Sequence, residues 1–279
     1  MIVESSGGVE IAVHDLGGTG APLLVSHATG FHGRCYLPLA HALTDRCHSI
    51  AFDYRGHGDT DRPDGAVAWQ QYGDDAEAMA AWLVAHNDGR PVDAFGHSMG
   101  GACLLMAAHR RPELFRTLVL FEPIVFPPQG IRSAEQGESM MVAGARKRRA
   151  TFPSFQAAID NYASKPPLNS FTPEALRAYV EYGFTPDDDG VHLKCRPDTE
   201  AATFEGGGRH DTWDHLPAIG TEVLVVAGRV EEMQPSAIAE DVAARLPHGR
   251  YLQVDELDHF GPMVRPLLLA DIVGQALRH

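Results

Sequence analysis

Short apolar runs that alternate with helical stretches constrain the fold more than any other feature of the chain. Six runs follow this pattern: PLLVSHA, HSIAFDYRG, VDAFGHS, TLVLFEPIVF, TEVLVVAG and RYLQVDEL. Continuous apolar strands separated by helices are typical of a parallel sheet with both faces covered. Two alternating segments at the start, MIVESS and VEIAVHDLG, are joined by Gly-Gly and predict an antiparallel hairpin at the sheet edge. The sequence therefore predicts an α/β fold with a mostly parallel, eight-stranded sheet flanked by helices.

The pattern is interrupted once, between Pro127 and about Asp214. Helical pieces broken by proline and glycine replace it there, among them SFQAAIDNYASK and TPEALRAYVEYGF. A chain of 279 residues can bury one large core together with an insertion. We therefore interpret residues 1–126 and 215–279 as one α/β core, and residues 127–214 as a helical cap, or lid, inserted into it.

The segment GHSMG around Ser98 carries the strongest chemical signal. An apolar strand precedes it and a helical stretch follows, so Ser98 is expected on a strained strand-to-helix turn whose small neighbours let the two elements pass closely. A serine hydroxyl is a poor nucleophile until a base removes its proton. His259, directly after the last predicted strand, is the candidate base. A glycine-rich turn without chemistry and a structural histidine are the competing interpretations.

Acyl chemistry at Ser98 also requires donors for a developing oxyanion. The backbone N–H of Met99 is the first candidate, because it begins the following helix and the helix dipole favours negative charge there. We expect the second donor from the loop SHATGFHG after the third strand, at Thr29. His27 in the same loop is interpreted as a prop for the loop rather than as a base.

These motifs together resemble those of the α/β-hydrolase superfamily, and in particular a capped, esterase-like member with a serine nucleophile. Four segments carry the resemblance: HATG at 27–30, DYRGHGDT at 53–60, the serine turn, and Asp-His at 258–259. The resemblance implies the α/β-hydrolase fold, no cofactor, and structural roles for Asp53, Arg55 and His57. Ala28 departs from the family pattern, in which glycine commonly follows this histidine.

Two glutamates compete for the acid that would complete a triad. In most members of the superfamily the acid follows the seventh strand, where VVAGRVEEMQP has Glu231. Another known location is the end of the sixth strand, where TLVLFEPIVFPP has Glu122. Glu122 has only apolar or proline neighbours nearby, so it is expected to be buried, and a buried carboxylate needs a partner. We expect Glu122 to be the acid, with Glu231 as the alternative; a brace for the cap hinge is the competing role for Glu122.

Aromatic residues of the cap and of neighbouring loops are candidates for an apolar pocket. The cap carries Phe152, Phe155, Tyr162, Phe171, Tyr179, Tyr182 and Phe184. These side chains could equally form the core of the cap itself. The expected pocket is lined by His27, Phe31, Phe126, Phe152 and Tyr182. The basic run at 146–149 could hold a substrate carboxylate with arginine forks, although a charge run on a helix is usually a solvated face.

Composition limits the partners of the chain. A net charge of -14 disfavours nucleic acid and anionic membranes, both of which need a basic face. Cysteines without a C-x-x-C pair, and the histidines of HDTWDH without a common zinc spacing, argue against a metal site. The start has neither a basic leader nor an apolar signal core. We expect a cytoplasmic monomer or homodimer that acts on a small molecule without metal or cofactor.

The leading functional hypothesis is a serine hydrolase that cleaves a small, fairly apolar carboxylic ester, thioester or lactone through an acyl-serine intermediate. A second hypothesis keeps the triad but changes the reaction to hydrolysis of a carbon–carbon bond, or to cofactor-free perhydrolysis of the haloperoxidase type. The third hypothesis is a scaffold of this fold that binds a small ligand without catalysis.

Overall fold

The structure is a computed structural model that describes residues 1–128, 139–207, 209–232 and 234–277. An antiparallel hairpin begins the chain, as predicted. Strand β1, Ile2–Ser5, pairs with strand β2, Val9–Gly18, across the short 3₁₀ turn Ser6–Gly8. Gly7 and Gly8 in this turn have φ of 72° and 73°, a backbone conformation that favours glycine.

Four strands and their connecting helices follow in the predicted order. The strands are β3 Ala21–Ser26, β4 Cys47–Phe52, β5 Val92–His97 and β6 Phe115–Phe121. The helices are α1 Leu37–His41, α2 Trp69–Ala85 and α3 Met99–Arg110, with 3₁₀ turns at Gly33–Tyr36 and Pro112–Leu114. Strand β5 is buried along its whole length because helices cover both faces of the sheet.

The segment after β6 adds helices and a small sheet of its own. Its helices are α4 Met140–Arg146, α5 Phe155–Ala163, α6 Pro173–Gly183, α7 Pro197–Gly206 and α8 Thr212–His215, with a 3₁₀ turn at Leu168–Ser170. Its strands, β7 Thr151–Phe152, β8 Phe184–Asp187 and β9 Gly190–Leu193, form an antiparallel sheet in the order β7-β9-β8. The interpretation of this segment as helical is therefore incomplete, because strands this short do not show a clear alternation.

We call the described residues between 127 and 214 the cap. Residues 129–138 and 208 of the predicted cap lie outside the described residues. The same is true of residues 233, 278 and 279 of the predicted core.

Two further parallel strands complete the main sheet. They are β10 Glu222–Ala227 and β11 Gly249–Gln253, and the helices around them are α9 Ala239–Arg245, α10 Gly261–Val264 and α11 Pro266–Ala276, with 3₁₀ turns at Leu216–Ala218 and Pro235–Ile238. The strand order is β1-β2-β4-β3-β5-β6-β10-β11, antiparallel from β1 to β4 and parallel from there on. The prediction of a mostly parallel, eight-stranded sheet flanked by helices is confirmed.

Alternate residues of the central strands fill two cores on opposite faces of the sheet. Leu24 and Leu118 belong to the core that includes residues of α2, α3 and α9. Val25 and Val119 belong to the core that includes residues of α1, α11 and the cap. Ligands of open α/β sheets bind outside the carboxyl ends of the strands, and the loop after β3 packs on the cap there. Among the described residues, no helix is long and apolar enough to cross a membrane.

Candidate active site

Ser98 lies on the turn between strand β5 and helix α3. Its backbone has φ of 56° and ψ of -115°, a conformation that residues other than glycine rarely adopt. Close packing explains the glycines around it. A Cβ at Gly96 would lie 2.8 Å from the Cα of Gly101, and one at Gly100 would lie 2.2 Å from a backbone carbonyl oxygen of β3. The turn therefore tolerates no side-chain bulk at these positions, which is the physical basis of the G-x-S-x-G pattern.

His259 links this serine to a carboxylate. It lies in the loop between β11 and α10, with Nε2 3.1 Å from Ser98 Oγ and Nδ1 2.6 Å from Glu122 Oε2. An ionised carboxylate only accepts hydrogen bonds, so the Nδ1–H of His259 donates to Glu122. The Nε2 atom is then left as an acceptor for the hydroxyl proton of Ser98. This arrangement can activate a nucleophile, because the base is within hydrogen-bond reach and is itself oriented by a third group.

Glu122 follows strand β6 directly and is 1% exposed. One carboxylate oxygen accepts the hydrogen bond from His259, and the other accepts one from the backbone N–H of Gly228 at 2.9 Å. The backbone of Glu122 has φ of 46°, so the acid and the nucleophile both lie on left-handed backbone. A buried carboxylate with both oxygens bonded meets the requirement that a buried charge be paired.

The alternative acid, Glu231, lies at the surface. Its side chain is 52% exposed, and its carboxylate is 3.7 Å from the guanidinium of Arg229. The structure therefore brings Glu122 to His259 and leaves Glu231 in an exposed loop.

The two expected oxyanion donors come from separate parts of the chain. Met99 is the first residue of helix α3, and the N–H groups of a first helical turn have no acceptor inside the helix. Thr29 lies in the loop after β3 and is 5% exposed. Its hydroxyl is buried and has no hydrogen-bond partner among the described residues.

His27 supports the loop that carries Thr29. Its Nδ1–H donates to the carbonyl of Ala28 at 2.8 Å, and its Nε2 accepts from the backbone N–H of Tyr54 at 3.0 Å. Burial, together with the neighbouring His57, lowers the pKa of His27 to about 3. Both ring nitrogens are held by backbone groups, as a prop for the loop requires, and the expected place of His27 in the pocket lining stays a prediction.

The segment after β4 forms a buried polar network beneath this loop. The carboxylate of Asp53 accepts from the backbone N–H of Gly33 and of Asp59, each at 2.7 Å, and contacts His14 Nε2 at 2.7 Å. His14, Asp53 and Asp59 lie close enough to share a metal ion. The backbone donors already occupy Asp53, however, and Asp59 pairs with Arg34 and Lys194. The donor set therefore fits a structural network rather than a metal site, in line with the role expected for Asp53.

Phe31 lies in an aromatic cluster beside His259. Its ring centroid is 6.1 Å from that of Phe171, 5.4 Å from Tyr179 and 6.4 Å from Phe260. Phe260 follows His259 in the chain, so this cluster of Phe31, Phe171, Tyr179 and Phe260 is the apolar surface next to the triad.

The three other residues expected in the pocket have separate surroundings. Tyr182 is at the surface, 37% exposed, with the guanidinium of Arg34 4.8 Å from its ring centroid. Phe152 is buried inside the cap against Tyr162 and Phe184. Phe126 packs on the core that contains α2 and α3. Their place in a substrate pocket stays a prediction, and Phe152 shows that an aromatic residue of a small cap is also used for the core of the cap.

The basic run at 146–149 separates into outward and inward side chains. Arg146 pairs with Glu205 at the surface, and Arg149 lies over the ring of Phe152. Arg148 turns inward, donating to the hydroxyl of Tyr179 at 2.5 Å and pairing with Glu200 at 3.0 Å.

A family model described as the alpha/beta hydrolase family matches residues 23–272. The chain belongs to the alpha/beta hydrolase family. The 2-(acetamidomethylene)succinate hydrolase of Mesorhizobium japonicum is 26% identical over 253 residues, which cover 89% of this chain and 85% of that protein.

One further relative and one solved structure match nearly the whole length of this alpha/beta hydrolase. The putative non-heme bromoperoxidase BpoC of Mycobacterium tuberculosis is 26% identical over 261 residues, covering 91% of this chain and 92% of that protein. The crystal structure of E-2-(acetamidomethylene)succinate hydrolase has a TM-score of 0.81 to this chain at 24% identity, covering 99% and 98% of the two chains. The likeness to that structure establishes the fold.

Two polar residues of this alpha/beta hydrolase that the sequence analysis did not single out lie against the triad. His97 precedes Ser98, and its ring centroid is 5.1 Å from that of His259. Tyr36, at the end of the 3₁₀ turn before α1, contacts His97 Nδ1 through its hydroxyl at 2.8 Å. The position of His97 inside GHSMG was an available signal, whereas nothing in the sequence marks Tyr36.

Several histidines of this hydrolase are buried in the neutral state. Burial is the largest cause in each case: it lowers the pKa of His27 to about 3 and those of His32, His57 and His210 to about 4. Burial and the neighbouring His259 lower the pKa of His97 well below its ordinary value.

We therefore expect the free energy of unfolding to fall as the pH drops below about 6.5, where these imidazoles titrate in the unfolded chain. Below that pH the unfolded state binds more protons than the folded state, and at pH 5 each buried neutral histidine lowers the stability by about 2 kcal/mol. Urea denaturation followed by tryptophan fluorescence should show a constant midpoint above about pH 7 and a steep fall between about pH 6.5 and 5. A midpoint that does not change over this lower range would contradict neutral burial of these side chains.

Proposed function

We propose that this protein is a serine hydrolase that cleaves a small, fairly apolar ester, thioester or lactone through an acyl-enzyme on Ser98. The observation that carries the proposal is the continuous chain of hydrogen bonds from Ser98 Oγ through His259 to the buried Glu122. Strain at Ser98 and at Glu122 supports it, because backbone strain is found at functional sites and persists only where the surrounding structure maintains it.

In the proposed first half-reaction, Ser98 Oγ attacks the substrate carbonyl carbon while His259 Nε2 takes the hydroxyl proton. The carbonyl oxygen becomes an oxyanion that accepts hydrogen bonds from the N–H groups of Met99 and Thr29. The imidazolium then gives its proton to the leaving alkoxide or thiolate as the carbon–oxygen or carbon–sulfur bond breaks. Glu122 remains a carboxylate throughout, orienting the ring through Nδ1–H and stabilising its positive charge.

In the second half-reaction, water replaces the serine. His259 removes a proton from the water, the resulting hydroxide attacks the acyl carbon, and Ser98 Oγ leaves with the proton returned by the imidazolium. The products are the free acid and the released alcohol or thiol, or the hydroxy acid when the substrate is a lactone.

The proposed substrate is small and fairly apolar because the surface beside the triad is aromatic. Phe31, Phe171 and Phe260 contact one another there, and Ser98 is only 3% exposed. This aromatic surface favours an apolar acyl group, since binding it removes apolar surface from water, and the burial of Ser98 favours a short one.

The direct experiment is a hydrolysis panel of p-nitrophenyl esters with acyl chains of increasing length, run beside thioesters, lactones and a peroxide-dependent halogenation assay. We expect turnover of the short esters without peroxide, and a decline as the acyl chain grows. Turnover that requires peroxide would favour the perhydrolase alternative. Covalent labelling of Ser98 by a fluorophosphonate without turnover of any substrate would favour the non-catalytic scaffold.

A second candidate is an acyl substrate that also carries a carboxylate. Arg148 favours it, because this arginine of the cap points inward beside Tyr179. Its partner Glu200 lies against the loop that carries Thr29, since a Cβ at Gly30 would be 2.5 Å from Glu200 Oε1. The relative from Mesorhizobium japonicum is named for a substituted succinate, which is a dicarboxylate. Arginine binds carboxylates through charge-assisted, bidentate hydrogen bonds.

This candidate predicts that Arg148→Gln lowers kcat/KM for monomethyl glutarate by about thirtyfold, the value expected for a charge-assisted hydrogen bond. The uncharged analogue methyl pentanoate should change by less than about threefold. Arg149→Gln, at the surface over Phe152, is the matched control.

Removing Arg148 alone leaves the buried Glu200 without its counter-charge, so Arg148→Gln/Glu200→Gln is measured as a second variant. Equal losses on the charged and uncharged esters in both variants would show that Arg148 has a structural role only.

A further inference from the structure

A continuous series of buried hydrogen bonds joins the loop after β3 to the backbone of His259. The N–H of Ala28 donates to the hydroxyl oxygen of Tyr36 at 3.1 Å. That hydroxyl contacts His97 Nδ1 at 2.8 Å, and His97 Nε2 contacts the carbonyl oxygen of His259 at 2.8 Å. Tyr36 and His97 are fully buried, so water does not compete for these bonds.

The two ends of the series fix the direction of every bond in it. The carbonyl of His259 can only accept, so His97 carries its proton on Nε2. A neutral imidazole with a proton on Nε2 has an acceptor at Nδ1, so the hydroxyl of Tyr36 donates to it. The oxygen of Tyr36 is then free to accept from the N–H of Ala28 at the other end.

Burial keeps the imidazole of His97 neutral and the hydroxyl of Tyr36 protonated, as these hydrogen-bond directions require. Burial and the neighbouring His259 hold the pKa of His97 well below its ordinary value, so its ring stays neutral. Burial raises the pKa of Tyr36 well above its ordinary value, so its hydroxyl keeps its proton. His97 is therefore unsuited to act as a second base beside Ser98, although it is the neighbour of Ser98 in the chain.

We propose that Tyr36 and His97 are positioning residues. They fix the loop after β3, which carries Thr29, relative to the loop between β11 and α10, which carries His259. Ala28 immediately precedes Thr29, the expected second oxyanion donor, and the other end of the series holds the backbone of the base. A carbonyl substrate must meet the base and the oxyanion donors at the same time. The series couples these two loops, which come from opposite ends of the chain, through the residue next to the nucleophile. This inference rests on the proposed serine-hydrolase function.

The test compares Tyr36→Phe with Tyr72→Phe in the full-length protein on the best p-nitrophenyl ester of the panel. Tyr72 is a matched control, because it is also a buried tyrosine and its hydroxyl bonds a neutral group, the Thr203 hydroxyl, at 2.9 Å. Tyr36→Phe should lower kcat by about 10- to 100-fold while KM changes by less than about threefold, since small misplacements of catalytic groups act on the transition state. Tyr72→Phe should leave both constants within about threefold.

His97 variants test the other half of the series. His97→Gln can keep a donor toward the carbonyl of His259, whereas His97→Leu removes both bonds, so His97→Gln should retain more activity than His97→Leu. The double variant Tyr36→Phe/His97→Gln should be no slower than the slower single variant, because both changes break one series.

The failures of the two proposals are distinguishable. A wild-type protein that neither turns over esters nor is labelled at Ser98 by a fluorophosphonate would remove the proposed function itself. An active wild type in which Tyr36→Phe behaves like Tyr72→Phe would overturn the positioning role alone. The positioning role would also be overturned if Tyr36→Phe raised KM by as large a factor as it lowered kcat. The same holds if the free-energy losses of the two single variants added in the double variant.

Discussion

Replacing Ser98 by alanine is expected to lower kcat/KM by about a thousandfold or more, while the protein folds normally. The acyl-enzyme cannot form without Oγ, so only the contributions of the oxyanion donors and of substrate binding remain. The substitution also removes a hydroxyl whose bond to His259 is 3.1 Å long, and it creates no large cavity. The measurement is steady-state hydrolysis of the best ester, with circular dichroism and a urea midpoint as checks of folding.

Ser49→Ala is the matched control for this variant. Ser49 is also a fully buried serine, it lies on strand β4, and its hydroxyl has no partner among the described residues. Its replacement should leave kcat/KM within about threefold. If the Ser98→Ala protein were still labelled covalently by an organophosphate, the nucleophile would be a different residue.

Glu122→Gln is expected to lower turnover by about two orders of magnitude or more, because loss of the orienting acid of a triad can cost about 10⁴. Glutamine can keep an oxygen for the N–H of Gly228, but its amide group then faces His259 Nδ1. An amide donor there favours the tautomer with Nδ1 as acceptor and the proton on Nε2. In that tautomer His259 cannot accept the proton of Ser98.

Glu231→Gln is the control that separates the two candidate acids. Its carboxylate is exposed and pairs with Arg229, so its loss should cost less than about tenfold in turnover. Glu122→Asp keeps the charge but shortens the side chain, and we expect it to retain more activity than Glu122→Gln. The reverse ranking of Glu122→Gln and Glu231→Gln, on well-folded proteins, would return the acid to the loop after β10.

The choice between these glutamates shows what sequence could establish about the site. Glu122 was favoured because its apolar neighbours predicted burial, and the structure places it 1% exposed against His259. The same reasoning could not find Tyr36, and it singled out the run 146–149 without showing that Arg148 is the arginine that turns inward, because these contacts come from elements far apart in the chain. Tyr36 meets His97 across 61 residues, and Arg148 meets Glu200 inside the cap.

The fold was predictable to a different degree in the core and in the cap. Core strands such as β3 and β6 carry continuous apolar runs, because helices cover both faces of the sheet. The cap strands β7 to β9 are two to four residues long, too short for their alternation to be recognised. Composition left its aromatic residues open between a pocket lining and the core of the cap, and in the structure Phe152 packs within the cap while Tyr182 lies at its surface.

The most direct test of the account is a rapid-quench experiment on the wild-type protein with a p-nitrophenyl ester, followed by peptide mass mapping. For an activated ester, which acylates the serine faster than water hydrolyses the acyl-enzyme, we expect a burst of p-nitrophenol and one acyl group attached to the peptide that contains Ser98. The adduct should be absent from Ser98→Ala and should accumulate more slowly in Glu122→Gln. Steady turnover with no acyl group on Ser98 at any quench time, or an acyl group on another residue, would contradict the account.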